Sequence, residues 1–348
     1  MKMEKTAKEM FDYRVNLLRH SCNFEKTERV PIIANIFGWM FIDAGYTTLE
    51  CTRDYEKAEK AGRRFIEKYP VDKMSHGGTG WCILPTNPYD YLLEEGASFG
   101  SAGGDENNIN GIQEGELIKA DEYDEYLADT KKFAWEKAFF RAFPKAAKFN
   151  ADEYAKAVQL FKEYFDVRNH CIDIIRNEYG LVDDVGIPSV SAGINNLLNY
   201  YRGIKGLSMD LRRQPDKVAE YCESVDVPAL EKVNALFSAN PGWDMQQPYD
   251  IRSSFMAHIV CNNKNFERFF MPILGGLAKA CADYNKQLFI NTEADFLRFA
   301  DYLDEFKRGT VTCIVEMDDP YEVRKRLPNL GIIGGLAVDT MGNSTPDK

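Results

Sequence analysis

The sequence predicts an α/β fold built on a parallel sheet, and three observations carry that reading. From about residue 182 onward, short strand-like runs alternate with helical patterns of roughly 10 to 20 residues, the signature of βαβ units. Near the start, Arg29-Val-Pro-Ile-Ile-Ala-Asn-Ile36 is a β-branched run bounded by proline, as a buried strand is. The 348 residues are 45% hydrophobic and 13% aromatic, with 14 prolines, which supplies a large core and excludes a disordered or collagen-like chain.

The elements follow in order. Residues 1–26 read as a helix, with Met10, Val15, Leu17 and Leu18 among charges, and the run 29–36 is the first strand. Residues 53–69 return to helix around Ala58, Ala61, Phe65 and Ile66. The stretch 75–113 is rich in Gly, Asn and Pro without a sustained period, and its length marks a lid-like functional segment. Residues 115–146 and 151–178 have helical patterns. Thereafter 182–190 reads as strand, 195–211 as helix and 217–237 as helix, with Pro215 suited to a first turn. An extended run at 243–249, a helix at 265–285 and a strand at 286–291 follow. The chain closes with a helix at 294–306, a strand at 310–315, a helix at 319–327 and a last strand at 331–338. About six strands follow the first helix, seven if the region near Met74 adds one, whereas a closed barrel needs about eight. No repeat interrupts the alternation, so residues 1–348 read as one domain, its barrel either completed differently or truncated.

Charge and composition exclude several classes. With 43 Lys+Arg against 54 Asp+Glu the net charge is −11, which repels phosphate backbones, so nucleic acid is not an expected partner. No stretch approaches the roughly 18 apolar residues of a spanning helix, and the charged N-terminus precedes no apolar signal core. The eight cysteines are scattered without Cys-x-x-Cys spacing, as in a protein of the reducing cytoplasm. With four histidines in the chain, a metal site must lean on carboxylates. Neither a Gly-x-Ser-x-Gly elbow nor a His-Glu-x-x-His run nor a kinase set is present.

In parallel α/β folds the carboxyl ends of the strands face the active site. Glu293 follows Gln287-Leu-Phe-Ile-Asn-Thr292, and Glu316 follows Thr310-Val-Thr-Cys-Ile-Val315. Two acids at the same end of successive strands, about 5 Å apart, suit one shared cation or one shared proton. The plainer alternative is that strand-end acids cap the next helix, a role for which Asp295, Asp318 and Asp319 are better placed. Asp250 and Arg252 follow the extended run ending at Tyr249, at an expected strand exit. Arg252 there clamps an anion and Asp250 orients it or takes a proton, or else the two form a loop-holding ion pair. His258, among apolar neighbours, is a ligand candidate or a satisfied core histidine. His76 opens His-Gly-Gly-Thr-Gly-Trp81, whose glycines suit an anion without matching a nucleotide fingerprint. Trp39 follows the first strand and lines an aromatic pocket or the core.

Several segments together resemble the uroporphyrinogen decarboxylase superfamily, and within it the corrinoid-dependent methyltransferases. They are Arg29-Val-Pro-Ile32, Ala120-Asp-Glu-Tyr-Asp-Glu-Tyr126, the run Arg202–Lys217, Asn263–Pro272 and Gly334-Gly-Leu-Ala-Val-Asp339, in this order from about residue 25 onward. The resemblance implies a (β/α)8 TIM-type barrel with an N-terminal helical extension. The family's decarboxylases carry an Arg-containing segment after the first strand to grip a tetrapyrrole; here Asn35-Ile-Phe-Gly-Trp-Met40 is uncharged. Thiol-methylating members hold zinc with His-x-Cys and a later Cys, where this chain has Asn291-Thr-Glu293 and Ala337.

The remaining branch demethylates methoxylated aromatics or related donors and loads a separate corrinoid protein. By that resemblance Glu293 and Glu316 hold zinc, His258 is the nearest third ligand, and Asp250 and Arg252 orient a small methoxylated substrate. A metal or an acid at the ether oxygen stabilises the departing phenolate. The alternatives are a metal-independent decarboxylase with Arg252 as anion clamp, and a non-catalytic binding protein. A barrel lacking its last unit also predicts a homodimer covering the strand edge.

Overall fold

The computed structural model of the chain describes residues 5–34, 36, 38–74, 86–95, 116–242 and 247–335. The chain is α/β with parallel sheets, as the sequence predicts. Six strands occur among the described residues: β1 (Ile33–Ala34), β2 (Lys73–Met74), β3 (Ile251–Phe255), β4 (Leu288–Thr292), β5 (Val311–Val315) and β6 (Gly331–Gly334). They do not make up a complete eight-stranded barrel. The sequence reads as one domain, and the chain divides into two compact units. One is Met1–Leu17, Arg29–Gln113 and Thr130–Gly186; the other is Leu18–Glu28, Glu114–Asp129 and Ile187–Lys348.

In the first unit β1 and β2 pair in parallel, Ile33 with Lys73 and Ala34 with Met74, and an isolated bridge joins Lys73 to Val182. The helix Tyr55–Lys68 starts where the Asp54 carboxylate accepts from the Glu56 and Lys57 amides, satisfying donors that a helix start leaves orphaned. It buries Ala58, Ala61 and Phe65 in a core shared with Phe41, Met74 and Ile175. Asn150 and Glu153 form a capping box that opens the helix Ala151–Asp173. Asp72 is held by Arg29 at two 2.6 Å bonds and accepts from the Ile32 amide at 2.8 Å, fixing the entry to β1.

Boundaries differ from the sequence reading where a local conformation intervenes. The N-terminal helix is Ala7–Cys22, ended by Phe24 at φ 61. The expected helix 115–146 is broken, with Tyr123–Ala128 stopping at the extended Asp129 before Thr130–Phe133 and a further turn begin. Within the expected lid-like segment 75–113 the described part, 86–95, contains the helix Thr86–Leu92, whose Leu92 packs with Phe143 and Ala157. The expected strand 182–190 contributes two isolated bridges, Lys73 to Val182 and Ser189 to Arg252, in place of a continuous ladder.

In the second unit β3, β4, β5 and β6 are neighbours in that order, all parallel. Side chains alternate across such a sheet. Ile251, Ser253, Phe255, Leu288, Ile290, Val311 and Cys313 point to a buried face, whereas Arg252, Ser254, Asn291, Ile314 and Ile333 lie on a face only partly covered. The floor of the latter is apolar: Tyr249 stacks on Phe289 at 4.5 Å, beside Ile187, Ile314 and Ile333. Gly331 lies in register with Thr312, and any Cβ there would overlap the Thr312 hydroxyl, so β5 and β6 approach only around a glycine. The helix Met271–Tyr284 ends at Asn285 in the left-handed region, φ 54, turning the chain into β4.

Candidate functional site

Glu293 and Glu316 both stand one residue beyond a strand, at the carboxyl end of β4 and of β5. The Glu293 amide donates to Phe255 O at 3.1 Å, so the ladder runs on past β4 and keeps the alternation in phase. Glu293 therefore shares a face with Phe289 and Asn291, and Glu316 with Thr312 and Ile314. Since Phe289 pairs with Thr312, these are one face, the partly covered one.

The residue after Glu293 is strained. Ala294 has φ 58, a left-handed conformation that costs an L-residue about 1–2 kcal/mol. Its amide donates to Glu316 Oε2 at 2.8 Å, which ties the loop after β4 to the end of β5. The next turn is held from the same strand, with the Asp318 Oδ2 accepting from the Phe296 amide at 2.6 Å and the Leu297 amide at 3.1 Å. Partial burial, followed by the negative charge of Glu316, raises the Glu293 pKa above the ordinary carboxylate value. The side chain still meets solvent, which limits the rise. Burial likewise raises Asp318, against the two amides that pull it down.

His258 belongs to the same end of the sheet but serves as a strut. It is fully buried between Phe255 and Phe299, and its Nε2 lies 3.0 Å from the Asp295 carbonyl oxygen. Burial lowers its pKa, so the ring is neutral and Nε2 carries the donated hydrogen. Arg298 closes the strut, its guanidinium donating to His258 O at 2.7 Å. Among the described residues no three His, Cys, Asp or Glu side chains come together as metal ligands. The carboxylate pair supplies two donors, and a zinc ion needs about three from protein.

Asp250 and Arg252 are displaced from their expected place. The strand is Ile251–Phe255, so Asp250 stands at its amino end and Arg252 is its second residue. Residues 243–246 lie outside the described part, and 247–250 are not strand. Arg252 pairs in register with Phe289, four residues before Glu293, which puts it about 13 Å lower along the sheet. Asp250 lies 3.2 Å from Lys286, both side chains 5% exposed, and accepts from the Gln287 amide at 2.9 Å. It is a buried ion-pair partner at the far end from Glu293. Trp39 lies in the first unit, in the helix Trp39–Asp43, edge-on to Phe65 at 6.2 Å. His76 and Ala337 lie outside the described residues.

Two residues at this end escape a reading by motif. Asn195 is fully buried, and its amide donates to Ser254 O at 2.7 Å while its oxygen accepts from the Ala257 amide at 2.9 Å and the Met256 amide at 3.3 Å. It thus fixes the exit of β3. Its own helix, Gly193–Asn196, is anchored by the buried Asp226, which accepts from the Gly193 amide at 2.7 Å. A polar residue inside Gly-Ile-Asn-Asn-Leu-Leu is the one sequence signal for Asn195.

No known protein family matches this chain, and no curated protein does. Among solved structures, a methyltransferase from Methanosarcina mazei aligns with 96% of this chain and 94% of its own, at 10% identity and a TM-score of 0.48. A likeness at that level carries no argument for fold or activity.

Proposed function

We propose that the chain is a methyltransferase that moves a methyl group from a small methoxylated, aromatic donor to the cobalt of a separate corrinoid protein. Two things support this: the ordered motif resemblance, and the carboxylate pair Glu293 and Glu316 at the carboxyl end of a parallel sheet. The single observation that carries the chemistry is the placement of Glu293 and Glu316 on one face at the carboxyl ends of β4 and β5, where partial desolvation and the Glu316 charge raise the pKa of the solvent-exposed Glu293. A donor seated against the pair takes away the remaining solvent and favours that proton further.

The reaction breaks the bond between the methyl carbon and the ether oxygen. The methyl leaves as a cation equivalent to a two-electron cobalt nucleophile, and the oxygen keeps the bonding pair. A phenolate is a poor leaving group, so a proton passed from Glu293 to that oxygen lowers the barrier, an effect of about 10²–10⁴-fold. Glu316 holds the Ala294 amide and so fixes the loop that carries Glu293. The described residues offer two carboxylates and no third ligand, one short of the three a protein-held zinc ion commonly takes.

The test pairs turnover with elemental analysis of wild type, Glu293→Ala and Glu316→Ala. Loss of methyl transfer in both variants, with circular dichroism unchanged, supports the pair as the reacting end. Retained transfer in Glu293→Ala overturns it. Stoichiometric zinc lost with either glutamate replaces the proton by a metal. The decarboxylase reading, with Arg252 as the anion clamp and no metal, predicts instead the release of carbon dioxide without any corrinoid partner.

A further inference from the structure

The second unit contains a cavity lined by neither Glu293 nor Glu316. It lies along the helix Gly203–Arg213 and holds about 550 Å³, within the range of about 300–1,000 Å³ of small-molecule sites. Arg202, 5% exposed, forms part of its wall. The guanidinium is fixed: Nε donates to Asp210 at 2.5 Å, and Nη1 donates to Ile118 O at 2.7 Å and to the Glu116 carboxylate. Asp210 in turn accepts from Tyr123 Oη at 2.8 Å and Gln214 Nε2 at 3.0 Å, so its charge is spent inside the network. Gly206 leaves room for this arrangement, since a Cβ there would come within 3.2 Å of the guanidinium carbon.

Two cations remain. Residues 202, 206, 209 and 213 follow a helical stripe, and Lys205 adjoins it. Lys205 and Arg213 both line the cavity, both are exposed, and neither has an ion pair among the described residues. In a chain of net charge −11 this is a local reversal of field, which concentrates anions. Met209 and Ala120 add an apolar patch to the lining. The volume and that patch fit a ligand with an organic body; Arg202, Lys205 and Arg213 against Glu116 and Asp210 leave the lining at +1, and the two exposed cations, which have no ion pair among the described residues, fit an anionic group.

We propose that this cavity binds a small phosphorylated metabolite, its phosphoryl group held by Lys205 and Arg213 and its organic body against Met209. Glu116, 56% exposed at the rim, is the acidic side chain that opposes the ligand and weakens its binding. Arg202 is the fixed wall that keeps Glu116 in place.

Isothermal titration of the full chain at fixed ionic strength, with glycerol 3-phosphate and with inorganic phosphate, tests this. The expected result is tighter binding of glycerol 3-phosphate, weakened at least about tenfold by Lys205→Ala and by Arg213→Ala. Glu116→Gln tightens it, and Glu293→Gln leaves it unchanged. Equal affinity for the two probes overturns the assignment to an organic phosphate. Binding that neither cation substitution weakens, or no heat from either probe, overturns the site.

Discussion

Asp226 shows how one buried side chain couples pH to the rest of the molecule. It is 4% exposed, has the Gly193 amide as its hydrogen-bond donor, and burial raises its pKa from 3.8 to about 7. A carboxyl whose folded pKa is raised contributes stability that is fully present below the unfolded value and is lost as pH rises through the folded one. The chain therefore loses roughly 4 kcal/mol from this residue between about pH 4 and pH 7. Asp226→Asn keeps an acceptor for Gly193 and removes that slope. Denaturant unfolding at pH 5 and pH 8 reads it directly, and equal slopes in both proteins would contradict the account. At the same scale, Ala294→Gly relieves the left-handed φ of 58 and should stabilise the fold by about 0.5–1 kcal/mol, net of glycine's entropy.

At the scale of elements, the exit of β3 depends on a residue of another segment. Asn195→Ala leaves the Ser254 carbonyl and the Met256 and Ala257 amides without that partner. The expected cost is about 3 kcal/mol, with faster hydrogen exchange at Met256 and Ala257. This is also where sequence reading ran out. The strands at 288–292 and 311–315 were legible because they are apolar runs bounded by polar turns, and Pro215 marked the first turn of Pro215–Ala239. Asp319 does cap its helix, accepting from the Tyr321 amide at 2.7 Å. The extended run ending at Tyr249 looked like a strand because aromatic residues bound it; Tyr249 is buried, yet among the described residues the ladder begins only at Ile251. A shift of a few residues reversed the end of the sheet to which Asp250 was assigned. Asp318 was read as a cap for its own helix, but it holds the Phe296 and Leu297 amides across the loop. Local spacing does not reveal such a partner.

For the whole molecule, charge is distributed by function as well as by solvation. The Asp250–Lys286 pair is buried at the amino end of the sheet, where removing one partner leaves an uncompensated charge. Asp250→Ala should destabilise the fold by about 3–5 kcal/mol while the folded fraction keeps its methyl-transfer rate. A selective loss of turnover without loss of stability would return Asp250 to the reacting end. Among the described residues no helix is long and apolar enough to cross a membrane. The acidic surface and the carboxylate pair were readable from the sequence, because both are matters of composition and of position after apolar runs. The strain at Ala294 and the cation cavity beside Arg202 were not, since they depend on packing between distant segments.

The central claim is that Glu293 delivers a proton at the carboxyl end of β4. The most direct measurement is the pH dependence of methyl transfer from a methoxylated benzene to cob(I)alamin, wild type beside Glu293→Gln. The acid acts when protonated, so the wild-type rate should fall as pH rises through the raised Glu293 pKa. Glu293→Gln should be at least about 100-fold slower and lack that limb. A variant that retains the wild-type rate and profile would contradict the account.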